Sequence, residues 1–104
     1  MNWHQESTDR LCDALLSLRT REECYQFLDD LCTIKEVLDI SQRLSVAMLL
    51  DQKASYNTIS QKTGASTATI SRVSRCYEYG SGGYKMMIEK LKEDKDHGEC
   101  TNEL

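Results

Sequence analysis

The residue types with the most evident chemistry lie together in one polar segment in the second half of the chain. Its hydroxyl, methyl and guanidinium groups belong to Ser66, Thr67, Ala68, Thr69, Arg72 and Arg75. Hydroxyls at the start of a helix suit phosphate, because free backbone N–H groups and the helix dipole attract anions there. Alanine and threonine methyls can contact the thymine methyl, and arginines further along can bind guanine or phosphate. The pattern predicts a helix whose N-terminal end contacts DNA.

Two short helices must position these groups, and the pattern between residues 56 and 77 indicates a helix-turn-helix. Gly64 stands just past the first helix, in a conformation that glycine adopts at little cost. Ile59 on the first helix is spaced to pack against Ile70 and Val73 on the second. In such a motif the second helix lies in the major groove. The alternative is an ordinary helical hairpin whose Ser and Thr residues only cap helices.

The remaining sequence predicts an all-α fold of about six helices. The 104 residues include no proline, and apolar residues recur at helical spacing. The predicted helices cover about 6–18, 21–32, 34–50, 56–63, 67–77 and 84–92. Capping residues precede four of them, at Thr20, Thr33, Ser55 and Ser66. We expect a single domain over 1–92 and a disordered acidic tail over 93–104.

Charge is distributed unevenly along the chain. The formal net charge is −4, yet residues 43–92 hold eight Lys or Arg and only three Asp or Glu. Residues 1–42 hold four basic and nine acidic residues, and residues 93–104 hold one and five. A basic centre between acidic ends favours a nucleic-acid partner for the centre, which the total charge alone would not suggest.

The apolar stripes of the first three helices are broad, and a chain this short cannot cover them all by itself. We therefore predict a homodimer. Two recognition helices about 34–36 Å apart would then read two half-sites on one face of double-stranded DNA. Trp3, Tyr25 and Phe27 are predicted to be core or interface residues, and Ile40 is predicted to face inward. The alternative is a compact monomer whose helices pack on themselves.

The segment at 64–72, Gly-Ala-Ser-Thr-Ala-Thr-Ile-Ser-Arg, resembles the recognition-helix signature of the Trp repressor superfamily. Together with residues 23–25, 27–33 and 42–44, it resembles the TrpR-related YerC/YecD family in particular. The resemblance covers roughly residues 10–92. It implies an intertwined, all-helical homodimer that acts as a transcriptional regulator, as a repressor bound to operator DNA.

The resemblance also implies roles for individual residues. Thr67, Ala68 and Thr69 match base-reading positions of the recognition helix. Asn57 stands where the repressor has a base-contacting arginine, which implies a different target sequence. The candidate DNA-binding residues are Asn57, Gln61, Lys62, Ser66, Thr67, Ala68, Thr69, Arg72 and Arg75.

An effector pocket is the second feature that the resemblance implies. Arg72 matches an arginine that stacks on the indole of tryptophan, and Arg43 matches the arginine that holds its carboxylate. Val73, however, stands where the repressor has a glycine, and a branched side chain there would crowd an indole. We therefore expect no resident cofactor, leave a small-molecule corepressor open and do not favour tryptophan. Arg43 and Arg72 would then bind DNA phosphates or an internal carboxylate.

No catalytic or metal site is predicted. His4 and His97 lie far apart in polar terminal segments, and no serine or cysteine has a nucleophile–base arrangement. The glycines at 80–83 lack the spacing of a phosphate loop. The five cysteines form no C-x-x-C pair and are interpreted as small buried hydrophobes kept reduced. We therefore predict that the protein is not an enzyme.

The apolar run at 46–50 is far shorter than the roughly 20 residues of a membrane span. Charged residues follow the first few residues directly, so no secretory signal is predicted and a cytoplasmic location is expected. The main alternative function is a helical protein-interaction module that has lost DNA binding, because acidic ends would repel phosphate. Exposed side chains at Arg72 and Arg75 would favour the DNA-binding regulator, whereas internal ion pairs of these arginines would favour the protein-interaction module.

Overall fold

A computed structural model of the chain describes residues 2–94, so most of the acidic tail expected at 93–104 lies outside the described residues. The first two residues of that expected tail, Glu93 and Asp94, are not disordered, because they form the end of the last helix. Over those residues the chain forms helices and no strand, as the all-α prediction requires. The six helices are α1 (Glu6–Leu16), α2 (Arg21–Leu31), α3 (Ile34–Asp51), α4 (Tyr56–Thr63), α5 (Thr67–Tyr79) and α6 (Gly83–Asp94). The described residues divide into two compact units between Val37 and Leu38, within α3. The first unit thus holds α1 and α2, and the second holds most of α3 and the helices that follow it. The expectation of one domain stays a prediction.

The predicted caps of α2 and α3 are confirmed. The Thr20 hydroxyl accepts the Glu23 N–H at 3.0 Å, and Glu23 in turn accepts the Arg19 N–H at 2.8 Å. At α3 the exchange is reciprocal, because Thr33 accepts the Glu36 N–H at 3.1 Å and donates its own N–H to Glu36 at 2.8 Å. Each helix therefore begins where local side chains satisfy its first backbone donors.

The first unit buries none of its described residues, although it carries many large apolar side chains. Leu16 is 82% exposed and Tyr25 is 70% exposed. The other exposed large apolar side chains before residue 38 are Trp3, Leu11, Leu15, Leu31 and Ile34. Within a single chain, α1 and α2 therefore have amphipathic faces without a core.

The second unit has a compact apolar core. It consists of Val46, Ala47, Leu49, Ile59, Ala65, Ile70, Val73 and Ile88. Ile59 and Ile70 are fully buried and Val73 is nearly so, which confirms the predicted packing across the helix-turn-helix. Burial of each such side chain contributes about 1.5–3 kcal/mol to folding. This core fixes α4 and α5 against each other.

Several helix ends differ from the predicted ones. Helix α1 ends at Leu16 rather than near residue 18, because the Ser17 N–H bonds back to the Asp13 and Ala14 carbonyls and closes a tight last turn. Helix α5 continues to Tyr79, two residues further than predicted. It stops at Gly80, whose N–H bonds the Cys76 carbonyl at 2.8 Å before the chain becomes extended.

Two predictions about burial are wrong for the single chain. Cys12 and Cys76 are exposed and Cys24 and Cys32 are only half-buried, so these cysteines are not core residues. Ile40 is exposed although it was expected to face inward. Cys12, Cys24, Cys76 and Ile40 lie on helices, and Cys32 follows the end of α2 in extended backbone.

Candidate nucleic-acid interface

Helices α4 and α5 form the helix-turn-helix that the sequence predicts. The Ser55 hydroxyl accepts the Thr58 N–H at 3.1 Å and caps α4, and the Ser66 hydroxyl accepts the Thr69 N–H at 3.1 Å and caps α5. Gly64 ends α4 with a φ of 75°, in the left-handed conformation that favours glycine. The two helices are therefore set by caps on both sides of a short turn.

Three side chains, two from α4 and one from α3, hold this turn in place. The Ser60 hydroxyl donates to the Ala65 carbonyl at 3.0 Å, and the Thr63 hydroxyl both donates to the Ile59 carbonyl at 2.7 Å and accepts the Ala65 N–H at 3.1 Å. From α3, the Gln42 amide donates to the Thr63 carbonyl at 3.1 Å. The start of α5 is thus held by hydrogen bonds as well as by the core.

At the start of α5, two hydroxyl groups are hydrogen-bonded to each other, and the two residues between them are exposed. Ser66 and Thr69 are hydrogen-bonded to each other through their hydroxyls at 3.1 Å, in addition to the cap. Thr67 and Ala68 are exposed, whereas Thr69 is half-buried. Ser66 therefore serves the helix cap first, and Thr67 and Ala68 offer the most accessible surface at this end.

The remaining predicted residues also lie on the surface. Arg72 and Arg75 are exposed on α5, and neither forms an ion pair with any residue in the range 2–94. Asn57, Gln61 and Lys62 are exposed on α4. The helix-turn-helix thus carries all nine candidate DNA-binding residues, of which eight are exposed and one, Thr69, is half-buried.

The predicted effector residues are placed differently. Arg43 is half-buried on α3, whereas Arg72 is exposed on α5. A cavity of about 350 Å³ borders α3, and neither arginine lines it. Its walls are Leu38, Ser41, Gln42, Ser45, Leu49, Lys62 and Thr63. Val73 is buried in the core rather than lining an open space.

A polar network that sequence reasoning missed lies behind the C-terminal half of α5. The Tyr77 hydroxyl donates to one Asp51 carboxylate oxygen at 2.5 Å, and the Lys92 ammonium donates to the other at 2.8 Å. These two hydrogen bonds hold the pKa of Asp51 below its ordinary value, and the bond from Lys92 has the larger effect. The same carboxylate raises the pKa of Tyr77 to about 12. The partners are 26 and 41 residues apart, so no local pattern could have revealed them.

Two other kinds of site can be checked over the same part of the chain. Within residues 2–94, no three His, Cys, Asp or Glu side chains are grouped so that they could hold a metal ion. No helix in this range combines the length and the apolar character that crossing a membrane requires.

The fold and the exposed second helix of the motif define the class of helix-turn-helix proteins. The chain belongs to the Trp repressor family, since the family model described as Trp repressor protein matches residues 6–92. This family consists of DNA-binding regulators, and membership points to regulation rather than catalysis.

Individual relatives agree with this assignment. The chain is 52% identical over 85 residues to YerC of Bacillus subtilis (strain 168), described as an uncharacterized protein, and the match covers 82% of each chain. A crystal structure of a candidate Trp repressor from Staphylococcus aureus has a TM-score of 0.83 and 49% identity, over 86% of this chain and 89% of that one. The crystal structure of a TrpR-like protein from Eubacterium eligens ATCC 27750 has a TM-score of 0.83 and 46% identity, over 85% of this chain and 91% of that one.

Proposed function

We propose that this protein is a sequence-specific transcriptional repressor that binds operator DNA in the cytoplasm, with α5 in the major groove. The observation that carries the proposal is the exposure of Thr67 and Ala68 at the start of α5, followed by two exposed arginines, Arg72 and Arg75, without ion-pair partners among residues 2–94. An interaction module that had lost DNA binding would have no need to keep these cations unpaired.

The residues on this surface divide into two roles. Thr67 and Ala68 reach base edges, where hydroxyl and methyl groups discriminate between base pairs. Arg75, Lys62 and Gln61 bind the phosphate backbone, which positions the protein but carries no sequence information. Ser66, which caps α5, acts on phosphate through the backbone N–H groups that it orders.

The experiment is selection of duplexes from a random pool, followed by fluorescence anisotropy on the enriched duplex and on an arbitrary duplex of equal length. An enriched motif with two-fold symmetry is the expected result. Affinity should fall as salt rises, because each phosphate contact releases counterions. Failure to enrich any duplex, with weak binding even at low salt, would overturn the repressor and favour the interaction module.

Two substitutions test the division of roles. Thr67→Ala should weaken binding to the enriched duplex by about 1–3 kcal/mol and leave the arbitrary duplex nearly unaffected. Arg75→Ala should weaken binding to both duplexes. It should also reduce the slope of the logarithm of affinity against the logarithm of salt concentration by about one unit. Ser81→Ala, which removes an exposed hydroxyl between α5 and α6, is the matched control and should change neither. Equal effects of Thr67→Ala and Arg75→Ala on both duplexes would contradict these roles.

A homodimer is part of the proposal. The uncovered apolar side chains of α1 and α2 supply the surface, and a two-fold axis supplies the second recognition helix. The partner is a second copy of the chain, intertwined through these helices.

We further propose that tryptophan is not the effector. Val73 fills the core position that an indole would need to approach, and it is 1% exposed. Tryptophan should therefore change neither the melting temperature nor the affinity for the enriched duplex. A rise in either on adding tryptophan would reinstate the pocket at Arg43 and Arg72.

A further inference from the structure

Asp51 is the last residue of α3, and its carboxylate joins three helices. Each of its two oxygens is occupied by a different helix, one by Tyr77 of α5 at 2.5 Å and the other by Lys92 of α6 at 2.8 Å. The Lys85 ammonium lies 5.1 Å from the centre of the Tyr77 ring, so α6 also contacts this ring. The C-terminal half of α5 is thus linked to α3 and to α6 at one point.

The position of this attachment matters for the opposite end of α5. Thr67 lies ten residues before Tyr77, which is about 15 Å along a helix. Ile70 and Val73 are buried between the two ends and anchor the middle of α5 in the core. A shift at Tyr77 therefore moves Thr67 at the other end of the rigid helix. Side chains that read bases must be held within about 0.5 Å of their productive positions.

We propose that Asp51 is a positioning residue for sequence reading, which fixes the tilt of α5 through Tyr77 and holds α6 against it through Lys92. The proposal rests on the proposed DNA-binding function and names a residue that DNA need not touch. The apolar core supplies folding stability separately. The Lys92 side chain is 59% exposed, and exposed ion pairs contribute little to stability.

The test uses Asp51→Asn and Tyr77→Phe in the full chain. For each variant, anisotropy gives the affinity for the enriched duplex and for the arbitrary duplex, and the ratio of the two measures sequence reading. We expect this ratio to fall about tenfold, the size of one lost base contact. A purely structural role would lower both affinities by the same factor, since only the competent fraction would change.

Two control variants distinguish loss of the Asp51–Tyr77 hydrogen bond from the general effects of removing a charge or a hydroxyl group. Glu78→Gln changes the net charge as Asp51→Asn does, at an exposed position beside Tyr77 on the same helix. Tyr79→Phe removes a hydroxyl as Tyr77→Phe does, from a side chain that is exposed. Neither control should change the ratio. The double variant Asp51→Asn, Tyr77→Phe should lose no more than the larger single loss, because both remove one interaction.

Hydrogen exchange on the free protein gives a readout without DNA. In Asp51→Asn, amides of the C-terminal half of α5 and of α6 should exchange faster, while those of α4 stay unchanged. Unchanged exchange, or an unchanged ratio with an enriched duplex in hand, would overturn the role of Asp51 alone. If the unsubstituted chain enriches no duplex, the proposed function fails and this role fails with it.

Discussion

Gly64 determines how α4 gives way to α5, because its φ of 75° belongs to a conformation that costs other residues free energy. A Cβ added there would meet only the Gln42 amide nitrogen, at 4.0 Å, so space is not the limitation. Gly64→Ala should therefore lower the free energy of unfolding by about 1 kcal/mol through backbone strain alone. Gly64→Asn should cost less, since asparagine adopts this conformation more readily. Urea denaturation measures both.

Lys53 offers the converse control for this prediction. It has a φ of 68° in the turn between α3 and α4, where a non-glycine residue bears the same strain. Lys53→Gly should relieve that strain and raise the free energy of unfolding by up to about 1 kcal/mol. A neutral Gly64→Ala together with a destabilising Lys53→Gly would show that backbone strain does not control these turns.

Between elements, the contact of α3 with α5 predicts a specific pH dependence. The hydrogen bond that the neutral Tyr77 hydroxyl donates to the Asp51 carboxylate raises the pKa of Tyr77 from 10.0 to about 12, with a further contribution from desolvation. A raised pKa means that this stabilisation is complete below pH 10 and is lost as the pH rises through about 12. An ultraviolet titration of phenolate should show one of the five tyrosines ionising late.

Asp51→Asn supplies the control for this titration. It should return the late tyrosine towards its ordinary pKa, and Tyr77→Phe should remove the late phase altogether. The pKa of Asp51 is lowered rather than raised, so its effect on stability has the opposite pH dependence. The stabilisation from the Asp51 carboxylate is complete above its ordinary pKa of 3.8 and is lost as the pH falls below that value. A late phase that persists in Tyr77→Phe would assign the shift to another tyrosine.

The same elements show how far sequence reasoning reaches. The starts of α4 and α5 were predictable, because Ser55, Ser66 and Gly64 act within three residues of the helix ends that they set. The core contact of Ile59 with α5 followed from the spacing of the motif. The bonds from Asp51 could not be predicted, since they depend on how three helices pack. Exposure of Ile40 was missed because periodicity identifies an apolar face without saying what covers it.

At the scale of the molecule, the two units differ in how much apolar surface a single chain covers. The second unit has a buried core, whereas the first unit buries none of its described residues. Isolated helices of 11 residues, the length of α1 and α2, are marginal in water without tertiary packing. The first unit therefore needs a second chain more than the helix-turn-helix does.

This difference predicts that stability depends on protein concentration. The unfolding midpoint should rise with concentration, because mass action favours a dimer. Leu15→Asp, which places a charge on the apolar stripe of α1, should give a monomer by sedimentation with less helix by circular dichroism. Ser7→Asp adds the same charge at an exposed polar position of α1 and should remain dimeric. If Leu15→Asp left the mass unchanged, or if the unsubstituted chain sedimented as a monomer with full helix content, the apolar surface of the first unit would have to be covered within one chain.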